Sequence, residues 1–151
     1  MKKQPTQVAE ISVSYRPAIA NKPIIKSPFD AYAVLREFFS DDTIQLNEQF
    51  MVMYLNKANR VLGVYPASVG GLTSTVVDLR LILSIALKIL SPVCIICHNH
   101  PSGSLKPSQP DIELTQKIKQ AAHHLDITVQ DHIILSGEPG QYFSFADEGI
   151  L

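Results

Sequence analysis

Disulfides, an export leader, a membrane span and a basic surface are all missing from this sequence, and each absence removes a class of function. Only two cysteines occur among 151 residues. A chain of this length buries roughly 68–70% of its unfolded surface, so a core can hold it without cross-links. At 46% hydrophobic residues it has the material for that core. Met1 to Thr6 carries two lysines with no apolar run behind them, which is not the pattern of a secretory leader. Two thiols and no leader predict a reducing compartment, here the cytoplasm. The longest apolar stretch, Leu79 to Leu90, includes Arg80 and Lys88 and falls short of the about 20 residues that a membrane helix needs. The formal net charge is −1 and neither half is strongly basic, so composition supports neither a nucleic-acid nor a membrane partner. There is no internal repeat and no low-complexity segment. The length fits one domain, residues 1–151.

What is present is an alternation of strand and helix signals. Residues 7–17 alternate polar and apolar and read as a strand. Residues 18–26 read as a connector. Ser27-Pro28-Phe29-Asp30 has the order of a helix start, cap then proline then acid, and predicts a helix to Phe39. Residues 44–55 and 60–66 read as a hairpin turning at Asn56 to Asn59, and Gly70-Gly71 as a break. Asp78 caps a predicted helix to Leu90, apolar almost all round and therefore expected deep in the fold. Residues 93–98, VCIICH, are a continuous apolar run of the kind found in strands buried on both faces. Ser108 opens a helix to Leu125, residues 127–135 read as a strand, and residues 141–146 as a short last one. The predicted architecture is α/β, a mixed sheet flanked by helices.

The chemistry gathers in His98-Asn99-His100-Pro101 and Ser108-Gln109-Pro110-Asp111. Residues two apart share a face of a strand, so His98 and His100 point the same way where Pro101 ends it. In the following helix Leu114, Ile118, Ala121, Ala122 and Leu125 form one stripe, and Asp111 lies on that stripe in the first turn. A carboxylate turned inward needs a partner. Two imidazoles and one carboxylate leave an open position on a tetrahedral ion, the catalytic zinc arrangement. A plainer reading stands beside it: Ser108 and Asp111 also make a capping box.

His-x-His-Pro, six residues, Ser, two residues, Asp resembles the JAMM motif of the JAB/MPN metalloproteases. HNHPSG (98–103), PSQPD (107–111) and DHIIL (131–135) resemble its bacterial RadC-like branch more narrowly, and the likeness covers residues 27–151. The resemblance implies a JAB/MPN fold related to the cytidine deaminases, and hydrolysis of a peptide or isopeptide bond in a protein substrate. It implies Zn2+ held by His98, His100 and Asp111, Ser108 stabilising an oxyanion, and an upstream Glu as general base. Glu48, fifty residues before His98 and at a strand start, is the expected base, with Glu10 as runner-up and a solvated strand-end carboxylate as the plain alternative. Two other functions accompany the resemblance: a non-catalytic MPN-like binding module, and a DNA-repair association carried by the family label.

Several patterns in the same stretch are decoys. Cys94-x-x-Cys97-His98 matches a haem-attachment string, but two cysteines three apart on a strand face opposite sides. Cys97, beside His98, is the one whose oxidation is expected to reach the site. All five histidines follow Cys97, which excludes the His-x-Glu before Pro-Cys-x-x-Cys of zinc deaminases. Asp131-His132 reads first as a satisfied core pair and second as support for the metal ligands. His123-His124, late in a helix, reads as surface.

Overall fold

The computed structural model of the protein describes residues 8–9, 11–17, 20–69 and 76–151; Glu10 and the Gly70-Gly71 break lie outside them. Among the described residues three helices and five strands follow in the order α1 (Pro28–Arg36), β1 (Gln49–Leu55), β2 (Val61–Val69), α2 (Leu79–Lys88), β3 (Val93–Asn99), α3 (Gln109–His123), β4 (Thr128–Leu135) and β5 (Tyr142–Ser144). The sheet order is β2-β1-β3-β4-β5. Only β3 and β4 run parallel; the other pairs are antiparallel. This is the mixed sheet flanked by helices that the alternating signals predict.

The sheet divides the core in two. On one side Met51, Met53, Leu55, Ile95 and Cys97 pack against Ala31, Tyr32 and Leu35 of α1. On the other Phe50, Val52, Cys94 and Ile96 pack against Ile82 and Ala86 of α2 and Ile118 and Ala122 of α3. Both β1 and β3 are therefore covered on both faces, which is why each reads as an unbroken apolar run. The two cysteines face opposite sides as expected. Both thiols are buried, and burial pushes Cys94 up to about 12. Cys97 packs on the α1 side of the sheet, the face opposite the His98 ring.

Several elements differ from the expectation for definable reasons. Residues 8–9 and 11–17 form no strand; period two alone supplies no ladder. The strand expected from residue 44 begins at Gln49, because residues 41–46 are in turns. Within that turn Ile44 is buried, so its apolar side chain serves the core without extending the strand. Helix α2 is not deep all round. Its buried residues are Ile82, Leu83 and Ala86, whereas Leu87 is 49% exposed. In α3 the expected stripe holds for Leu114, Ile118, Ala121 and Ala122, with Thr115 buried beside it, whereas Leu125 lies outside the helix and exposed.

Helix α2 stops two residues before the expected Leu90, through a left-handed residue. Ile89 caps it, Leu90 has φ +54°, and the Ser91 N–H donates to the Ala86 carbonyl at 2.8 Å. That position normally takes glycine, because a Cβ there crowds the following carbonyl. Leu90 is 87% exposed, so it returns almost no burial for the strain. Leu90→Gly should therefore raise stability, by up to about 1 kcal/mol after the greater unfolded-state freedom of glycine is subtracted. Chemical denaturation checks this, and a lower midpoint would contradict it.

Candidate metal centre

His98 and His100 come from the end of β3, where parity puts both rings on the α2/α3 side. The backbone stays in register past the strand, since the His100 N–H donates to the Leu135 carbonyl at 3.0 Å. Asp111 comes from the first turn of α3 and Glu48 from the residue before β1. The four offer ligand atoms within 4.8 Å of one another and could hold a metal ion. His98 Nε2 lies 2.9 Å from His100 Nε2, 3.3 Å from Asp111 Oδ1 and 3.7 Å from Glu48 Oε1. His100 Nε2 lies 3.2 Å from Asp111 Oδ2. The Glu48 side chain is 15% exposed and turned to His98, so it is not a solvated strand-end carboxylate. Glu113 faces out and pairs with Gln109.

Each ring is held from behind. His100 Nδ1 lies 2.7 Å from the Ser104 carbonyl, an acceptor, so Nδ1 carries the proton and a neutral His100 presents a bare Nε2 to the cluster. The loop reaches that position through Gly103, at φ +84°, where a side chain would be strained. His98 stacks on Phe50, with centroids 6.1 Å apart and planes at 8°. Its Nδ1 lies 2.7 Å from His132 Nε2. His132 stacks in turn on Phe145 at 4.5 Å.

Electrostatics follow from these contacts. Burial would raise the Asp111 carboxyl, but the His100 and His98 imidazoles beside it, with the Ser108 N–H, hold it well below the usual carboxylate range. The hydrogen bond to Asp111 raises the His100 imidazole against the opposing effect of burial. Burial, and then the neighbouring His98, push His132 well below the ordinary imidazole value, so it is neutral.

The capping box is also real. Ser108 Oγ accepts from the Asp111 N–H at 3.2 Å, and the Ser108 N–H donates to Asp111 Oδ2 at 2.7 Å. Asp111 thus caps with one oxygen while its Oδ1 faces His98. The Asp131-His132 pair splits. His132 backs His98, whereas Asp131 accepts from Ser144 Oγ at 2.6 Å and from the Ala146 N–H at 3.0 Å, fixing the chain after β5. A register shift beside Cys94 places Val129 opposite Cys94 and Asp131 opposite Ile95. That irregularity re-aims the next side chain, His132, toward the site.

Two contributors carried no readable signal as motifs. Asn99, between the two histidines, is fully buried. Its Oδ1 accepts from the Gln49 N–H at 2.7 Å, and its Nδ2 donates to the carbonyls of Ile44 and Asn47 at 2.7 and 2.9 Å. It therefore ties the segment carrying Glu48 to the strand carrying both histidines. Thr115 lies one turn after Asp111 and donates from Oγ1 to the Asp111 carbonyl at 2.7 Å. A polar residue inside an apolar helical stripe was the only hint of it.

The fold defines an α/β domain of the JAB/MPN kind, with a Glu/His/His/Asp cluster that could hold a metal ion. The chain belongs to the RadC family: residues 25–150 match the family described as RadC-like JAB domain. It is 40% identical over 127 residues to a "UPF0758 protein" of Flavobacterium johnsoniae, covering 84% of this chain and 53% of that one. It is 40% identical over 121 residues to a "UPF0758 protein" of Porphyromonas gingivalis, covering 80% and 52%. It is 40% identical over 104 residues to "UPF0758 protein YfjY" of Escherichia coli, covering 69% and 64%. The chain thus spans about half the length of the first two relatives. Among the described residues no helix is long and apolar enough to cross a membrane.

Two predictions follow from the geometry. Asn99→Ala leaves one buried donor and two buried acceptors without partners, and should cost about 2–4 kcal/mol of stability in chemical denaturation; a loss below 1 kcal/mol would show the clasp to be idle. In the metal-free protein the depressed Asp111 stabilises above its unfolded value and is lost as acid titrates it. The raised His100 stabilises fully below its unfolded value and is lost as alkali titrates it. The pair therefore contributes most between about pH 4 and pH 6.5. The melting temperature of the metal-free chain should fall as pH rises from about 6 to 9, and His100→Ala should flatten that fall.

Proposed function

We propose that this domain is a zinc-dependent hydrolase of amide bonds, with a peptide or protein as substrate and the cytoplasm as its setting. The observation that carries the reading is the pair of imidazole Nε2 atoms 2.9 Å apart beside a carboxylate. With its Nδ1 on the Ser104 carbonyl, His100 turns a bare Nε2 toward His98 Nε2 and Asp111, and that arrangement suits a cation between them. The donor set suits zinc: bonds of about 2.0–2.1 Å in a tetrahedron put neighbouring ligand atoms about 3.3 Å apart, against 2.9, 3.3 and 3.2 Å here. His98, His100 and Asp111 would hold the ion, and Zn2+ there would supply Lewis acidity and an acidic water near neutral pH.

The remaining roles belong to the chain's own side chains. Glu48 Oε1 lies 3.7 Å from His98 Nε2, at the edge of the ligand cluster rather than within it. From there it takes the proton of an attacking water and returns it to the leaving amine. Ser108 Oγ accepts from Asp111 and retains its own hydroxyl proton, which it can donate to the developing oxyanion. Ser108 is solvent-exposed beside the ligand cluster, where a substrate carbonyl can reach it. The amide substrate class comes from the resemblance, and the near-neutral net charge gives no support to nucleic acid.

The first experiment is elemental analysis of protein purified without chelator or nickel, for wild type and His100→Ala. About one zinc per wild-type chain, falling sharply in the variant, is the expected result. Glu48→Gln should then keep its zinc while turnover of a peptide and isopeptide panel drops about 10²–10⁴-fold. Zinc retained with no turnover even in wild type would favour a binding module. No metal in wild type after zinc is added back would overturn the metal reading itself.

A further inference from the structure

We infer that three buried side chains, His98, His132 and Thr115, form a positioning relay ending on the backbone of Asp111, which keeps the proton of His98 on Nδ1 and its Nε2 lone pair turned into the metal site. The inference rests on the metal reading above and concerns how the ligand is prepared before any ion arrives.

The direction of the relay follows from its last member. Thr115 Oγ1 lies 2.7 Å from the Asp111 carbonyl and 2.6 Å from His132 Nδ1. A carbonyl only accepts, so the single hydroxyl proton goes to it. Oγ1 then has only a lone pair for His132, and His132 Nδ1 must donate. A neutral His132 with its proton on Nδ1 has a bare Nε2, which lies 2.7 Å from His98 Nδ1. His98 must therefore donate from Nδ1, and its Nε2 is left bare among Asp111, His100 and Glu48.

The reverse direction has a different consequence. Were Thr115 to donate to His132, the next proton would sit on His132 Nε2 and the last on His98 Nε2, pointing into the cluster. A protonated Nε2 cannot ligate. The choice between a ligand and a blocked ring is thus made three hydrogen bonds away, by a helix carbonyl. The relay also joins the two ligand-bearing elements: it leaves His98 on β3, crosses β4 at His132, and ends on the residue of α3 that supplies the carboxylate. Stacking of His98 on Phe50 and of His132 on Phe145 holds both rings in the plane the relay needs.

The test uses wild type, Thr115→Val, which removes the hydroxyl at nearly constant volume, and Thr115→Ser, which restores it. Histidine 15N–1H correlation spectra of the metal-free proteins, at about pH 8.5 where imidazoles are neutral, read which ring nitrogen carries each proton. Zinc affinity is read by competition with a chromophoric chelator. We expect Nδ1–H on both His98 and His132 in wild type. Thr115→Val should lose that preference at His98 and bind zinc about 10–100-fold more weakly, the usual cost of removing an outer partner of a ligand. Thr115→Ser should keep both the tautomers and the affinity of wild type. Wild-type His98 protonated on Nε2, or Thr115→Val with unchanged tautomers and affinity, would overturn the relay. If wild type binds no zinc, the metal reading fails while the metal-free tautomers still decide the relay. If Thr115→Val does not fold, the wild-type and Thr115→Ser spectra decide it.

Discussion

Two imidazole Nε2 atoms held 2.9 Å apart next to a carboxylate form an arrangement that favours positive charge at its centre. Without it the imidazoles repel each other and Asp111 carries an uncompensated charge at a half-buried site. The metal-free chain meets the need with a proton, which is why His100 is raised and Asp111 depressed. The same cluster could hold a metal ion. Nearly every distinctive feature around the site serves to keep these groups converging when their electrostatics alone would part them.

The fold supplies that restraint from several directions. Strand β3 lies between β1 and β4, so the two histidines stand at the end of a central strand covered on both faces. Phe50, opposite His98 on β1, provides the surface on which the ring stacks. The Ser104 carbonyl, brought round by Gly103, fixes His100. Asn99 points the other way and binds the segment that carries Glu48 to the histidine strand. One short piece of strand therefore orients two ligands by its even positions and the adjacent carboxylate by its odd one.

Ser108 and Asp111 show that a capping reading and a ligand reading need not compete. The capping box fixes the carboxylate rotamer, with Oδ2 on the Ser108 N–H, and this leaves Oδ1 facing His98. Helix initiation and ligand placement are the same event. Membership of the RadC family agrees with this arrangement. The relatives of which this chain spans about half are named only as UPF0758 proteins, so their names carry no substrate to this chain.

Local sequence determined the element types, the two-sided burial of β3, the common face of His98 and His100, and the inward turn of Asp111. All of these follow from periodicity and capping within one segment, which short-range geometry sets. The extent of the strand before Gln49, the one-sidedness of α2 and the absence of a strand over residues 8–9 and 11–17 depended on which neighbours were there to pair or pack. Asn99 and Thr115 could not be read as parts of the site for the same reason, and His132 only as a second choice. Their partners lie on other elements or are backbone carbonyls, and for His132 a register shift beside Cys94 decided which face it took. A pattern along the chain specifies which way a side chain leaves its own backbone; only the packed sheet and helices decide what it meets.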